Sequence, residues 1–353
     1  MTPRLVVAGG GPTGLAVAIH AARRGMHVTV VEPRSGVLDK ACGEGLMPAG
    51  VQALDRLGVD PTTLGRPFRG IRYVDRHHRA EADFAHGPGL GIRRTALHAA
   101  LLTQAEQAGV RWQAGRVRSI TQDHQAVRAH LLDGPTLHAH WLVVADGLRS
   151  TLRHHLGLDL PSTRPRRIGL RRHFSVAPWS DFVEVHWRPR VEAYVTPVGP
   201  QLVGIAMLVT GTVPTRGEGP PFDRLLQGFP ELVERLGQAP TASHTRGAGP
   251  FETRVARRVC GRVLLVGDAA GYLDPITGEG LKLGFLGAEA AVEAIASGQP
   301  ERWEQDWRRI TRRYLVGTGG LLTLTGQPTL RRWMVPVLSR APWVLGTALR
   351  FLG

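Results

Sequence analysis

The residues best suited to chemistry fall into three groups. Gly9-Gly10-Gly11-Pro12-Thr13-Gly14 places glycines at G-x-G-x-x-G spacing, and Glu32-Pro33-Arg34 follows about twenty positions on. That pattern suits a dinucleotide. Gly9 permits a tight turn, Gly11 lets a pyrophosphate approach the backbone, and Gly14 lets helix and strand pack closely. Glu32 then accepts hydrogen bonds from ribose hydroxyls. In the second group, Gly267-Asp268 puts a carboxylate where it can accept from sugar-like hydroxyls. The third is the Pro275 to Leu281 stretch, whose Gly278-Glu279-Gly280 turn opens a helix. Free N–H groups at a helix start stabilise negative charge.

The elements that must position these groups are also legible. Leu5–Ala8 is a short apolar strand, Leu15–Arg24 is helix-forming and stopped by Gly25, and His27–Glu32 reads as a second buried strand. The strand–glycine turn–helix–strand context is what the dinucleotide fingerprint requires. Val263–Val266 is a strand running into Gly267-Asp268, and a long helix is expected from Leu281 to Ala296. Trp141–Ala145 is a strand ending in Asp146-Gly147-Leu148-Arg149-Ser150, and Arg94 opens a helix from Thr95 to Ala108.

With these segments in hand, the chain resembles the FAD-dependent family of para-hydroxybenzoate hydroxylase-type monooxygenases, geranylgeranyl reductases and flavin-dependent halogenases. The match rests on Gly9-x-Gly11-x-x-Gly14, Asp146–Ser150, and Gly267-Asp268 with Asp274-Pro275 to Gly280. The resemblance implies an α/β fold: a discontinuous, Rossmann-like, glutathione reductase-type FAD-binding domain, an antiparallel β-sheet substrate domain and C-terminal helices. The expected boundaries are 1–70, 91–160 and 252–300 for FAD, 71–90 and 161–251 for the substrate sheet, and 301–353 for the helices. It also implies roles. Glu32, Pro33 and Arg34 fall at the adenosine, Gly9 to Gly14 and Arg94 at the phosphates, and Asp268 on the ribityl chain. Asp146, Gly147 and Arg149 support the pyrophosphate. Gly267, Pro275, Gly278, Gly280 and Leu281 surround the isoalloxazine.

Lys40-Ala41-Cys42-Gly43 is similar to the Lys-x-Cys-Gly element of geranylgeranyl reductases, which implies a cofactor-side position for Cys42 and Gly43 and a catalytic thiol at Cys42. The alternative is a small side chain packed in a glycine-rich turn. The reductases' second element, Tyr-x-Trp-x-Phe-Pro, corresponds to Glu192–Pro197 and keeps one aromatic, Tyr194, and the proline. No Trp-x-Trp occurs among the eight tryptophans, which speaks against halogenation. A second nucleotide fingerprint is also absent, so NAD(P)H is expected as a transient donor.

On the substrate sheet, alternation along Phe182–Trp187 puts Val183, Val185 and Trp187 on one face and Glu184 and His186 on the other. Either face can line a chamber. His173, His186, Tyr194 and Trp187 are the polar or aromatic candidates over the flavin, with His186 and Tyr194 suited to acid–base work.

Three readings compete. The first is an NAD(P)H-dependent monooxygenase acting on an apolar or aromatic secondary metabolite. The second is a double-bond reductase on an isoprenoid or polyketide. The third is a basic membrane- or nucleic-acid-binding protein with vestigial FAD. The third rests on charge alone: 44 basic and 29 acidic residues give +15 over 353 residues. Only Lys40 and Lys282 are lysines, an arginine skew that fits a GC-rich genome, and no nucleic-acid module is present. No nucleic-acid partner and no metal are expected. Two cysteines and the absence of a signal-peptide pattern point to the cytoplasm. The last helical stretch mixes Trp333, Val337, Trp343 and Phe351 with Arg331, Arg332, Arg340 and Arg350. It can cap the substrate sheet or lie on a membrane surface.

Overall fold

A computed structural model describes residues 2–213 and 219–352. Its first layer is a six-stranded sheet. In spatial order its strands are Val259–Cys260, Val263–Leu265, Trp141–Val144, Arg4–Ala8, His27–Glu32 and Arg111–Ala114, all parallel except the first. Both faces are covered, which is why the central strands are almost continuously apolar. Leu5, Val7, Val28, Val30 and Val143 pack under helices Pro12–Arg23, Arg94–Gln107 and Gly280–Ala296. The alternate residues Val6, Ala8, Val31, Leu142 and Val144 pack against a three-stranded antiparallel sheet, Val117–Gln122, Val127–Leu131 and Thr136–Ala139. The period of two along each central strand thus assigns its buried apolar side chains to one of two cores.

The second layer is a seven-stranded sheet. Its spatial order is Arg246–Ala248, Arg167–Phe174, Leu202–Thr210, Val191–Gly199, Phe182–Arg188, Gly70–Val74 and Arg79–Asp83. Phe182–Arg188 and Gly70–Val74 are parallel; the other neighbours are antiparallel. One face is closed by short helices Pro221–Leu226 and Pro230–Leu236, through Phe222, Phe229 and Leu232 against Ala193, Val195 and Ile205. Pro230 opens the second of these, where its missing N–H costs nothing. The opposite face carries Ile71, Ala80, Val183 and Val185. Met334, Val335 and Leu345 of helices Pro328–Arg340 and Pro342–Leu352 pack on it. A longer helix, Arg302–Gly326, leads into that pair.

Candidate active site

Chain order reverses between Arg4–Ala8 and Trp141–Val144, which makes their carboxyl ends a topological switch point. A cavity of about 1410 Å³ opens there and runs beneath the seven-stranded sheet. Gly9, Gly11, Pro12, Thr13, Glu32, Pro33, Arg34, Cys42, Gly43, Arg94, Asp146, Gly147, Gly267, Asp268, Pro275, Gly278, Gly280 and Leu281 all line it. Gly14 does not. A Cβ at Gly14 would sit 1.9 Å from the Gly9 carbonyl oxygen, so this glycine sets the closeness of helix and turn. Gly11 has the opposite environment: a Cβ there would meet nothing within 4 Å and would project into open space beside the helix start.

The charges around this cradle are fixed in advance. Glu32 is buried and accepts from the Gly10 N–H at 2.9 Å and from Arg34 Nε at 2.7 Å. Burial alone would raise its pKa, but Arg34 and the Gly10 N–H outweigh it and hold the carboxyl below its ordinary value. Arg94 lines the cavity with a buried Nε that has no hydrogen-bond partner among the described residues, a donor suited to an incoming phosphate. Lys40 Nζ stands 3.7 Å from Asp268 Oδ2, bridging the 40–45 loop to the carboxylate expected on the ribityl chain. The open cradle, the unpartnered arginine and the ionised Glu32 together fit FAD. Arg149 lines the same cavity, but its Nη2 donates to the Gly249 carbonyl at 2.6 Å, so it ties the substrate sheet's edge to the cofactor side.

Residues 40–45 hang on a buried ionic network. Glu44 adopts a left-handed φ of 61° and is 2% exposed. Its carboxylate accepts from the Arg94 N–H at 2.8 Å, pairs with His173 Nε2 and lies 3.8 Å from Arg171 Nε. Arg171, 1% exposed, pairs in turn with Asp39. Burial works against ionised Asp39, yet Arg171 and Arg246 pull its pKa down. The outcome places Cys42 on the cavity wall, where its Sγ accepts the Glu44 N–H at 3.4 Å.

Two acid–base expectations change. His186 faces away from the chamber, between Glu184 at 3.2 Å and Glu231 at 3.1 Å, under helix Pro230–Leu236. It cannot reach a flavin. Tyr194 does line the chamber, but its hydroxyl donates to the Ile276 carbonyl at 3.1 Å, and burial pushes its pKa well up. It positions the 275–277 turn instead of exchanging protons. His173 is fully buried against Glu44 and Ser243, and Trp187 packs edge-on against Tyr73. Tyr73 lines the chamber with a hydroxyl that has no partner among the described residues; burial raises its pKa to about 12, so it stays a neutral donor.

A second buried cluster joins sheet to cofactor loop. Arg167 lies 2.6 Å from Glu192 and 3.1 Å from Asp274. Burial is the main cause that raises Glu192 to about 7 and Asp274 to about 6; Arg167 opposes it in both, and Asp274 adds to it for Glu192. An acid whose pKa is higher folded than unfolded binds more protons in the native state, so stability falls as pH rises through that interval. Glu192 and Asp274 are therefore both expected to lower folding stability as pH rises from about 4.5 to 7. Relative to the parent, Glu192→Gln should become more stable toward pH 7 in a pH series of urea unfolding midpoints, and a pH-independent difference between the two would refute the assignment.

Comparison with known proteins agrees with this site. The profile of a family described as FAD binding domain matches residues 2–298. The chain belongs to this FAD-binding family of oxidoreductases. Its relatives include a menaquinone reductase of Mycolicibacterium smegmatis, 29% identical over 99% of this chain and 91% of that protein. Another is a para-nitrophenol 4-monooxygenase of Pseudomonas sp., 30% identical over 82% of this chain and 77% of that one. A flavoprotein/dehydrogenase of Cytophaga hutchinsonii has the same fold, with a TM-score of 0.80 at 19% identity over 99% of this chain and 95% of that one. The family thus holds both monooxygenases and reductases, and this FAD-dependent oxidoreductase is an enzyme. What its fold leaves open is the reaction.

Proposed function

We propose that the protein is an NAD(P)H-dependent monooxygenase that hydroxylates an apolar or aromatic secondary metabolite. The observation that carries this reading is the chamber beyond the cofactor cradle, walled by Ile71, Tyr73, Val183, Val185, Leu208 and Phe251. FAD, when bound, would take electrons from NAD(P)H and supply the oxygen-activating chemistry. The chain's residues do the rest. The apolar wall excludes water from the reacting centre. Tyr73 offers a neutral O–H to orient a substrate oxygen, and Tyr194 braces the turn at Ile276. Gly280, at the start of helix Gly280–Ala296, presents backbone N–H groups to negative charge on the cofactor. A reducing compartment, the cytoplasm, suits this reading, because Cys42 and Cys260 are both free and NAD(P)H is supplied there.

One observation favours a second reading, double-bond reduction: Cys42 lies on the cavity wall with its sulfur hydrogen-bonded by the Glu44 N–H. Oxygen-electrode assays with a panel of alkyl phenols and prenyl substrates separate the two. Hydroxylation requires substrate-stimulated oxygen uptake that Cys42→Ala leaves within about threefold of the parent. Turnover that continues without oxygen and falls by about a hundredfold or more in Cys42→Ala would establish the reductase instead.

A further inference from the structure

We propose that the three terminal helices dock the protein on an anionic lipid bilayer with the mouth of the cavity facing the lipid. A lipophilic substrate would then enter the chamber without crossing water. The inference goes beyond the reaction: it holds for either chemistry and can fail without touching either.

Three observations converge on it. Among the described residues twelve large apolar side chains are exposed, and eight of them lie on these helices, led by Trp343 at 71%, Val316 at 61% and Trp333 at 57%. Helices Pro328–Arg340 and Pro342–Leu352 already bury Met334, Val335 and Leu345 against the sheet, so their exposed apolar residues form a second face left uncovered. Folded proteins seldom leave such a patch without a use. The charge is equally lopsided. From Trp307 to Gly353 the sequence has eight arginines and no aspartate or glutamate, more than half of the net +15 within 47 residues. Arg331, Arg332, Arg340 and Arg350 alternate with the exposed tryptophans and aliphatics. Finally, Val316, Leu330, Trp333, Val337 and Phe351 are both exposed and part of the cavity wall, so the patch is the rim of the chamber's mouth.

An anionic bilayer fits all three. Tryptophan prefers the headgroup level, and guanidinium groups pair with lipid phosphates. A second copy of the chain would bring two such arginine-rich faces together without a carboxylate to meet them. Among the described residues no helix is long and apolar enough to cross a membrane, so the contact is peripheral.

The test is cosedimentation of the FAD-loaded full chain with vesicles. Equal parts phosphatidylglycerol and phosphatidylcholine should bind the protein about tenfold or more better than phosphatidylcholine alone. Two variants outside the cavity wall check the surface itself. Arg332→Glu with Arg340→Glu, and separately Trp343→Ser, should each weaken binding by about tenfold while FAD absorbance is retained. The proposal is overturned if anionic vesicles fail to bind the parent, or if the variants bind as well as the parent. Loss of binding with the arginine pair but not with Trp343→Ser, or a dimer in sedimentation velocity that Trp343→Ser dissolves, would also overturn it.

Discussion

Gly11→Val is expected to fold, to melt within about 2 °C of the parent, and to lose FAD affinity by about a hundredfold or more. A Cβ at Gly11 meets no atom within 4 Å beyond its chain neighbours and points into the open cavity, so the apoprotein has little to relax. The same side chain would fill the approach to the helix start, where the backbone N–H groups that follow Pro12 are available to phosphate oxygens. Displacing two charge-assisted hydrogen bonds costs ~3 kcal/mol, which is the hundredfold. Gly14→Ala provides the contrast. Its Cβ would fall 1.9 Å from the Gly9 oxygen and 3.3 Å from the Ala145 Cβ, so strand and helix must separate. That variant should lose ~1–3 kcal/mol of apoprotein stability as well as FAD, despite alanine's better helix propensity. Calorimetric melting of the apoproteins and titration with FAD distinguish a filled cradle from a broken one. Equal FAD affinity in Gly11→Val and parent would refute the cradle.

The second large effect is expected at Glu44. Removing its carboxylate leaves Arg171 buried with Asp39 as its remaining carboxylate partner and leaves His173 Nε2 without its acceptor. Breaking a buried ion pair from one side typically costs ~3–5 kcal/mol, because the surviving charge stays desolvated. Glu44→Ala should therefore lower the free energy of unfolding by that amount in guanidinium titrations of the apoprotein. Glu44→Gln, which keeps the shape and one acceptor, should lose about half. The loop held by Glu44 also carries Lys40 and Cys42, so FAD should dissociate faster from both variants. A Glu44→Ala protein as stable as the parent would show that the network contributes no net stability.

The cofactor cradle was legible because its requirements are local. Gly9 has a φ of 111° and Gly14 a contact no side chain survives, and both demands appear in the sequence as glycine at fixed spacing. The network behind the cradle was not legible. Glu44, Arg94, Arg171 and His173 come from segments up to 129 positions apart, and nothing in the spacing of single charged residues announces that they will be buried together. Glu44 sits between Gly43 and Gly45, directly after the Lys40–Gly43 element, but its left-handed backbone is visible only in the fold. The error at His186 has a related cause. Alternation divided Phe182–Trp187 between two faces correctly; which face meets the chamber depends on helices Pro221–Leu226 and Pro230–Leu236 taking one side of the sheet and helices Pro328–Arg340 and Pro342–Leu352 the other. Net charge gains meaning only from its distribution. Averaged over the chain it could suit a polyanion-binding protein, whereas eight of the fifteen net charges fall between Trp307 and Gly353 of an FAD-dependent enzyme.

The central claim is that the apolar chamber beside the FAD cradle serves oxygen insertion. Turnover of the FAD-loaded enzyme with NAD(P)H under ¹⁸O₂, with the product read by mass spectrometry, tests it most directly. One ¹⁸O atom in each product molecule is the predicted result. An unlabelled product carrying two additional hydrogens would contradict the claim and assign the chamber to double-bond reduction.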